Sequence, residues 1–240
     1  MQMIDLRLDP RRLLHFAHAQ GHRADDDFGY TLHAWLAAAL GHLAPKPFRC
    51  LETRDGDLRV LGYGDADIAT LSDHVARFAE PQAATVCDWS RSASKTMPTE
   101  WPSGRRLGFE VRACPVSRGE RERDIYLVSV ERSKAEGLEP LPRAEVYRQW
   151  LEKRFSDVVN PQHITLVGMR RVRIYRMHRR RGTVASGGRA VERPDALFSG
   201  ELTVVDSAGF QQLLARGIGR HRAFGFGMLL LRPPGGLSGT

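Results

Sequence analysis

The chain has 240 residues, 42% hydrophobic and 27% charged, which excludes a disordered polyelectrolyte and leaves room for one large domain or two small ones. Lysine and arginine total 36 against 28 aspartates and glutamates, a formal charge of +8, and a basic balance favours a polyanionic partner through counterion release. Cys50, Cys87 and Cys114 are far apart with no CxxC pair, which argues against a zinc knuckle or a disulfide framework. The first residues carry no apolar signal core and no apolar run approaches a membrane span, so the expectation is a cytoplasmic protein with no membrane partner.

In chain order, "MIDLRL" alternates apolar and polar residues and predicts a strand. Asp9-Pro10 starts a helix that ends at Gly21. Asp25, Asp26 and Asp27 precede a second helix, "GYTLHAWLAAAL", whose core face is Leu32, Trp35, Leu36, Ala39 and Leu40. "KPFRCLETRDGDLRVLGYG" reads as a hairpin around Arg54 to Asp57, "DIATLSDHVARFAE" as a helix stopped at Pro81, and "AATVCDW" as a strand. The order β-α-β-β-α-β has then occurred once.

"TMPTEWPSGRR", with two prolines and a glycine, makes a boundary, giving expected domains 1–102 and 103–240. Beyond it come a strand at "LGFEVRACPV", a helix or strand at "DIYLVSVERSKA" (helix preferred), and an amphipathic helix at "PRAEVYRQWLEKRF". Strands at "ITLVGMRRVRIYRMHRR" and "LFSGELTVVD", a helix at "SAGFQQLLARG" capped by Asp206 or Ser207, and a last strand at "FGMLLLR" complete the series. Element order repeats, although residue identity between the halves does not. The expected fold is α+β, two tandem ferredoxin-like (RRM-like) βαββαβ domains.

Three clusters carry candidate chemistry. "GIGRHRAFGFG", Gly217 to Gly227, follows a helix and precedes a strand, the reverse of a nucleotide-binding glycine turn, and it lacks Gly-Lys-Ser/Thr. Glycines let backbone N–H groups approach a phosphate and flanking arginines add charge, so Gly217, Gly219, Arg220, His221, Arg222, Gly225 and Gly227 read as an RNA-gripping loop. Phe224 and Phe226 have a simpler role, at least one of them as a core anchor beneath it. "MRRVRIYRMHRRRG" concentrates Arg170, Arg171, Arg173, Arg176, Arg179, Arg180 and Arg181 around Tyr175 on one strand and its loop, a density that favours phosphate contact over a merely solvated face.

Histidines supply the third cluster. His15, His18 and His22 share helical spacing but have no HExxH and no nearby cysteine, so no metal is expected there. Tyr30 and His33, at i and i+3, fall on the edge of the Leu32/Trp35/Leu36 stripe, where both tips can face a cleft. A histidine titrating near neutrality can move a proton, although a Tyr/His pair at such an edge also serves to cap a core.

Taken together these blocks resemble the CasE family, the CRISPR repeat-processing endoribonucleases that are also subunits of the type I-E Cascade complex. The resemblance runs in order along nearly the whole chain. It rests on Tyr30-x-Leu32-His33, "FEVRACP" from Phe109, "YRQWLEKRF" from Tyr147, "FSGELTVVD" from Phe198 and, most specifically, "GIGRHRAFGFGMLLL" from Gly217. It implies two ferredoxin-like domains and cleavage of precursor CRISPR RNA at the base of the repeat hairpin, with no metal or other cofactor. It also implies that Tyr30 and His33 are the catalytic pair and that Arg112, the basic strand and the glycine-rich loop meet RNA. Its implied partners are the repeat hairpin, as precursor and mature guide RNA, and other Cascade subunits. The alternative is a non-catalytic RNA-hairpin-binding structural subunit.

Overall fold

The computed structural model describes residues 1–21, 28–119, 122–176 and 189–235. Its first sheet is antiparallel, in the order β2-β3-β1-β4. β1 (Gln2–Leu8) and β3 (Leu58–Gly64) pair from Gln2 opposite Gly64 to Leu8 opposite Leu58. β2 (Phe48–Glu52) borders β3, and β4 (Ala93–Thr96) borders β1. Helices α1 (Pro10–Ala19) and α2 (Gly29–Leu40) lie between β1 and β2 in the chain; α3 (Ile68–Phe78) and the single turn α4 (Pro81–Ala84) lie between β3 and β4.

The second half repeats this plan with β5 (Arg106–Ala113), α5 (Ile125–Ala135), α6 (Arg143–Phe155), β6 (Val159–Arg176), β7 (Arg189–Val204), α7 (Ser207–Arg216) and β8 (Leu229–Arg232). Its sheet order is β6-β7-β5-β8, the same permutation as the first. Two βαββαβ units with that order are two tandem ferredoxin-like arrangements, as expected. The segment "DIYLVSVERSKA" is helical, as preferred.

Local chemistry sets the element ends. Asp9 caps α1 by accepting from Arg11 N–H at 2.8 Å, and Pro10 occupies the first turn, where its missing N–H costs nothing. Asp67 and Asp206 cap α3 and α7 through Thr70 N–H (2.8 Å) and Ala208 N–H (3.0 Å). One expectation is corrected: "AATVCDW" is not a strand. Pro81 starts a helical turn there, and only Cys87 makes an isolated bridge to Leu8. The edge strand is instead the polar "ASKT" of β4, which has no apolar alternation to announce it because it lies half in solvent at the sheet edge.

Alternation along the strands builds two cores. Ile4, Leu6, Leu8 and Val60 face α2 and α3 and pack with Leu32, Trp35, Leu36, Leu71 and Val75. The second core joins Phe109, Val111 and Phe198 to Tyr147, Leu151, Phe155, Phe210 and Leu214. Leu61 and Tyr63, on the opposite face of β3 from Val60, belong to this second core, and Tyr63 Oη donates to Leu229 O at 2.9 Å. Trp101 also packs there, edge-on to Phe210 at 5.1 Å. Each large apolar side chain so buried contributes roughly 1.5–3 kcal/mol.

Candidate active site and nucleic-acid interface

The apolar stripe of α2 is fully used: Leu32, Trp35, Leu36, Ala39 and Leu40 are buried, and Trp35 Nε1–H donates to Ala83 O at 2.9 Å. Docking that stripe leaves Tyr30 and His33 half-buried on its flank. Across from them comes Phe224 of the glycine-rich loop. Its ring lies 5.0 Å from that of His33 and 6.4 Å from that of Tyr30, nearly parallel to the latter at 13°. Phe226 is the buried anchor, packed with Cys114, Val116, Val172 and Ile174. One phenylalanine thus holds the loop down and the other meets the Tyr30/His33 pair, a contact that sequence reading missed because it spans about 190 residues of chain.

His33 titrates below its ordinary 6.5, chiefly because burial disfavours the charged ring and secondarily because the Lys46 ammonium repels it. Neutral imidazole, able to accept a proton, is therefore the dominant form at neutral pH.

The loop itself is built to cross between the domains. Gly217 and Gly227 have φ of 68° and 80°, and their backbones are locked together by the Ile218 N–H bond to Gly227 O at 2.8 Å. A Cβ on Gly217 would strike Gly227 O at 2.7 Å and Pro47 Cγ at 2.8 Å; one on Gly227 would overlap Ile218 O. These two glycines are demanded by chain packing, independently of any ligand. Gly219 lies against the Trp150 ring and Gly225 against Phe48. A short 3-10 turn, Arg222–Phe224, follows His221 and aims Phe224 at α2.

Glu122 ties this loop to the second sheet. Its buried carboxylate takes Arg220 Nε at 2.6 Å, His221 Nε2 at 2.8 Å and Arg193 Nε at 3.2 Å. Arg222 donates to Arg216 O. Nothing in the local sequence singles out Glu122, since its partners are far along the chain.

Among the expected RNA-binding arginines the structure separates two groups. Arg112, one of those expected at RNA, is an interior residue. It is 7% exposed, and its Nε and Nη2 donate to Asp195 Oδ1 and Oδ2 at 2.8 and 2.9 Å over the Phe226 ring. Burial alone would raise the Asp195 pKa, but Arg112, then Arg170, outweigh it and hold the carboxyl below its ordinary value. Arg170 is exposed, and its Nε reaches Asp195 at 2.8 Å. Arg171 and Arg173 alternate with the buried Val172 and Ile174 and project from β6 into solvent. Arg171 makes one long contact, 3.4 Å, to Glu192. The backbone of Arg176 ends β6; Arg179, Arg180 and Arg181 lie outside the described residues.

Arg49 is a residue that sequence reading passed over. It sits on β2 on the face away from Phe48, 3.6 Å from Glu110, with its Nε buried and unpartnered among the described residues. The alternation of "FRCLE" places it on that face, but only the second sheet's presence makes the face an interior one. Of the three spaced histidines, His15 and His18 are exposed on α1 and His22 lies outside the described residues.

The fold has known counterparts. A structure of the CRISPR endoribonuclease Cse3 bound to a 19-nucleotide RNA is 18% identical, with a TM-score of 0.62 over 97% of this chain and 100% of that one. The CRISPR-associated protein Cas6e from Escherichia coli K-12 is 18% identical, with a TM-score of 0.55 over 97% of this chain and 100% of that one. A chain of a CRISPR RNA-guided surveillance complex is 17% identical, with a TM-score of 0.56 over the same shares. At these identities the likeness is one of fold. No curated protein matches the sequence. The family model described as CRISPR associated protein matches residues 1–233, and the chain belongs to that family.

Proposed function

We propose that the protein is a metal-independent endoribonuclease that cleaves precursor CRISPR RNA at the base of the repeat hairpin and serves as a subunit of a type I-E Cascade effector. The observation that carries this reading is the Tyr30/His33 pair, half-buried on α2, with the Phe224 end of a basic loop across it. Family membership and the fold shared with Cse3 and with a chain of a surveillance complex support it.

In the proposed reaction neutral His33 takes the proton of the 2′-hydroxyl. The 2′-oxygen bonds to the adjacent phosphorus, the bond from phosphorus to the 5′-oxygen breaks, and the departing oxygen takes a proton from water. The products are a 2′,3′-cyclic phosphate and a 5′-hydroxyl. Tyr30 orients the 2′-hydroxyl or a phosphate oxygen for in-line attack, and Lys46 supplies positive charge beside the developing phosphorane. Arg171 and Arg173, projecting from β6, meet phosphates of the stem, whose A-form shape is read through its backbone. Arg220 and Arg222 hold the strand at the loop.

Incubating the purified chain with a CRISPR-repeat hairpin in EDTA, followed by end-group analysis, tests this. The expected products carry a cyclic phosphate and a 5′-hydroxyl. Binding without cleavage would instead make the protein a structural hairpin-binding subunit, and activity abolished by EDTA would overturn metal independence.

A further inference from the structure

Most arginines among the described residues have a carboxylate beside them: Arg148 has Glu145 and Glu152, Arg143 has Asp124, Arg132 has Glu136. A cluster in one region does not follow that habit. Arg118, Arg154 on α6, Arg216 at the end of α7, and Arg220 and Arg222 of the loop converge on a pocket of about 380 Å³. No carboxylate is among its described lining residues. Glu122 engages Arg220, but among the described residues Arg118, Arg154 and Arg216 have no acidic partner.

The cost of gathering these charges is visible. Burial, and then the charge of Arg118, lower the pKa of Arg154, whose guanidinium lies 4.7 Å from the Trp150 ring. Trp150 is 5% exposed and its indole N–H is buried without a partner among the described residues. Like charges crowded over an unsatisfied donor cost stability until an anion relieves them. The volume falls within the range of small-ligand sites, about 300–1,000 Å³.

We infer that this pocket seats a backbone phosphate of the single-stranded RNA flanking the hairpin, an inference that rests on the endoribonuclease reading above. A stem presents its phosphates on a convex surface, which the exposed arginines of β6 can meet. A concave pocket needs a flexible strand that can lower one phosphate into it. The pocket also adjoins the cleavage point: two residues beyond Arg222, Phe224 touches the rings of His33 and Tyr30. A phosphate gripped by Arg118, Arg154 and Arg216 would fix the strand on one side of the scissile bond and the loop that faces it.

The test uses the full chain, the repeat hairpin with and without its single-stranded flank, and the exposed pair of substitutions Arg118→Ala and Arg216→Ala. Wild-type protein should bind the flanked RNA more tightly. The double variant should lose roughly tenfold on it, with the slope of log K against log salt shallower by about 0.7 per phosphate released. Its affinity for the bare hairpin should change less than about twofold. Lysine at both positions should restore much of the loss, because a single-strand phosphate needs charge more than a fork. A methylphosphonate walked along the flank should reproduce the loss at one linkage.

Equal losses on both RNAs would assign the arginines to the stem and overturn the inference. Unchanged RNA binding, with or without lost assembly into the multisubunit complex, would overturn it too, and lost assembly would point to an acidic protein partner. Wild-type protein that binds neither RNA would remove the endoribonuclease reading itself. Wild-type cleavage with an unaffected variant removes only the pocket's assignment.

Discussion

The helices α2 and α6 occupy corresponding places in the two domains, and each carries a tyrosine with a second ring three residues on: Tyr30 with His33, Tyr147 with Trp150. In α6 the pair is sealed. Tyr147 is fully buried; its Oη donates to Asp124 at 2.9 Å and accepts from Arg143 at 2.8 Å, and burial, then Asp124, push its pKa up. Trp150 is covered by Gly219 and Arg154. In α2 the pair stays half-exposed, touched from across by a loop of the other domain. Spacing on a helix alone therefore does not make a site. What distinguishes α2 is that its flank is left open and a titratable imidazole lies there near the Lys46 ammonium.

Substitutions can break this contrast. His33→Ala should reduce hairpin cleavage by roughly a hundred- to ten-thousand-fold while leaving melting and RNA affinity close to wild type; single-turnover rates and a binding isotherm check both. Trp150→Ala should do the opposite, costing about 3–5 kcal/mol of stability in a denaturant titration. If the two variants behave alike, the distinction between an open and a sealed pair is wrong. Phe224→Ala removes the ring across α2, an interaction worth about 0.5–1.5 kcal/mol, so cleavage should fall by up to about tenfold with the fold intact.

The smallest effect sharpens the argument about His33. As a base with a depressed pKa it should support a flat rate at neutral pH and above, falling as pH drops through that pKa. Lys46→Ala removes the secondary cause of the depression, so the acid limb should move to higher pH, while burial keeps it from returning to 6.5. A pH–rate profile unchanged in Lys46→Ala would mean that the ammonium does not act on His33.

Helix α2 was readable because its apolar spacing matches its burial: its five stripe residues are the five apolar residues it buries most deeply. The hairpin of β2 and β3 was likewise announced by its turn, where Gly56 has a φ of 82°. Short-range signals failed where long-range contacts decide. β4 is polar and became a strand only because β1 offers it an edge. Arg112 looked like one more basic residue, and nothing near it in sequence reveals Asp195, 83 positions away. The same applies to Glu122, whose cations come from β7 and the loop, and to Phe224, which is unremarkable among glycines until α2 is opposite it.

Leu61 and Tyr63 lend side chains from the first sheet to the core of the second. Such sharing couples the two halves: either one by itself would leave an apolar face uncovered. It also carries vulnerability across the molecule. A cavity opened beneath Tyr63 would loosen the spacing between α2 and the loop, so under the proposed function inactivating lesions need not cluster around His33, and lost processing would often report lost cohesion rather than lost chemistry.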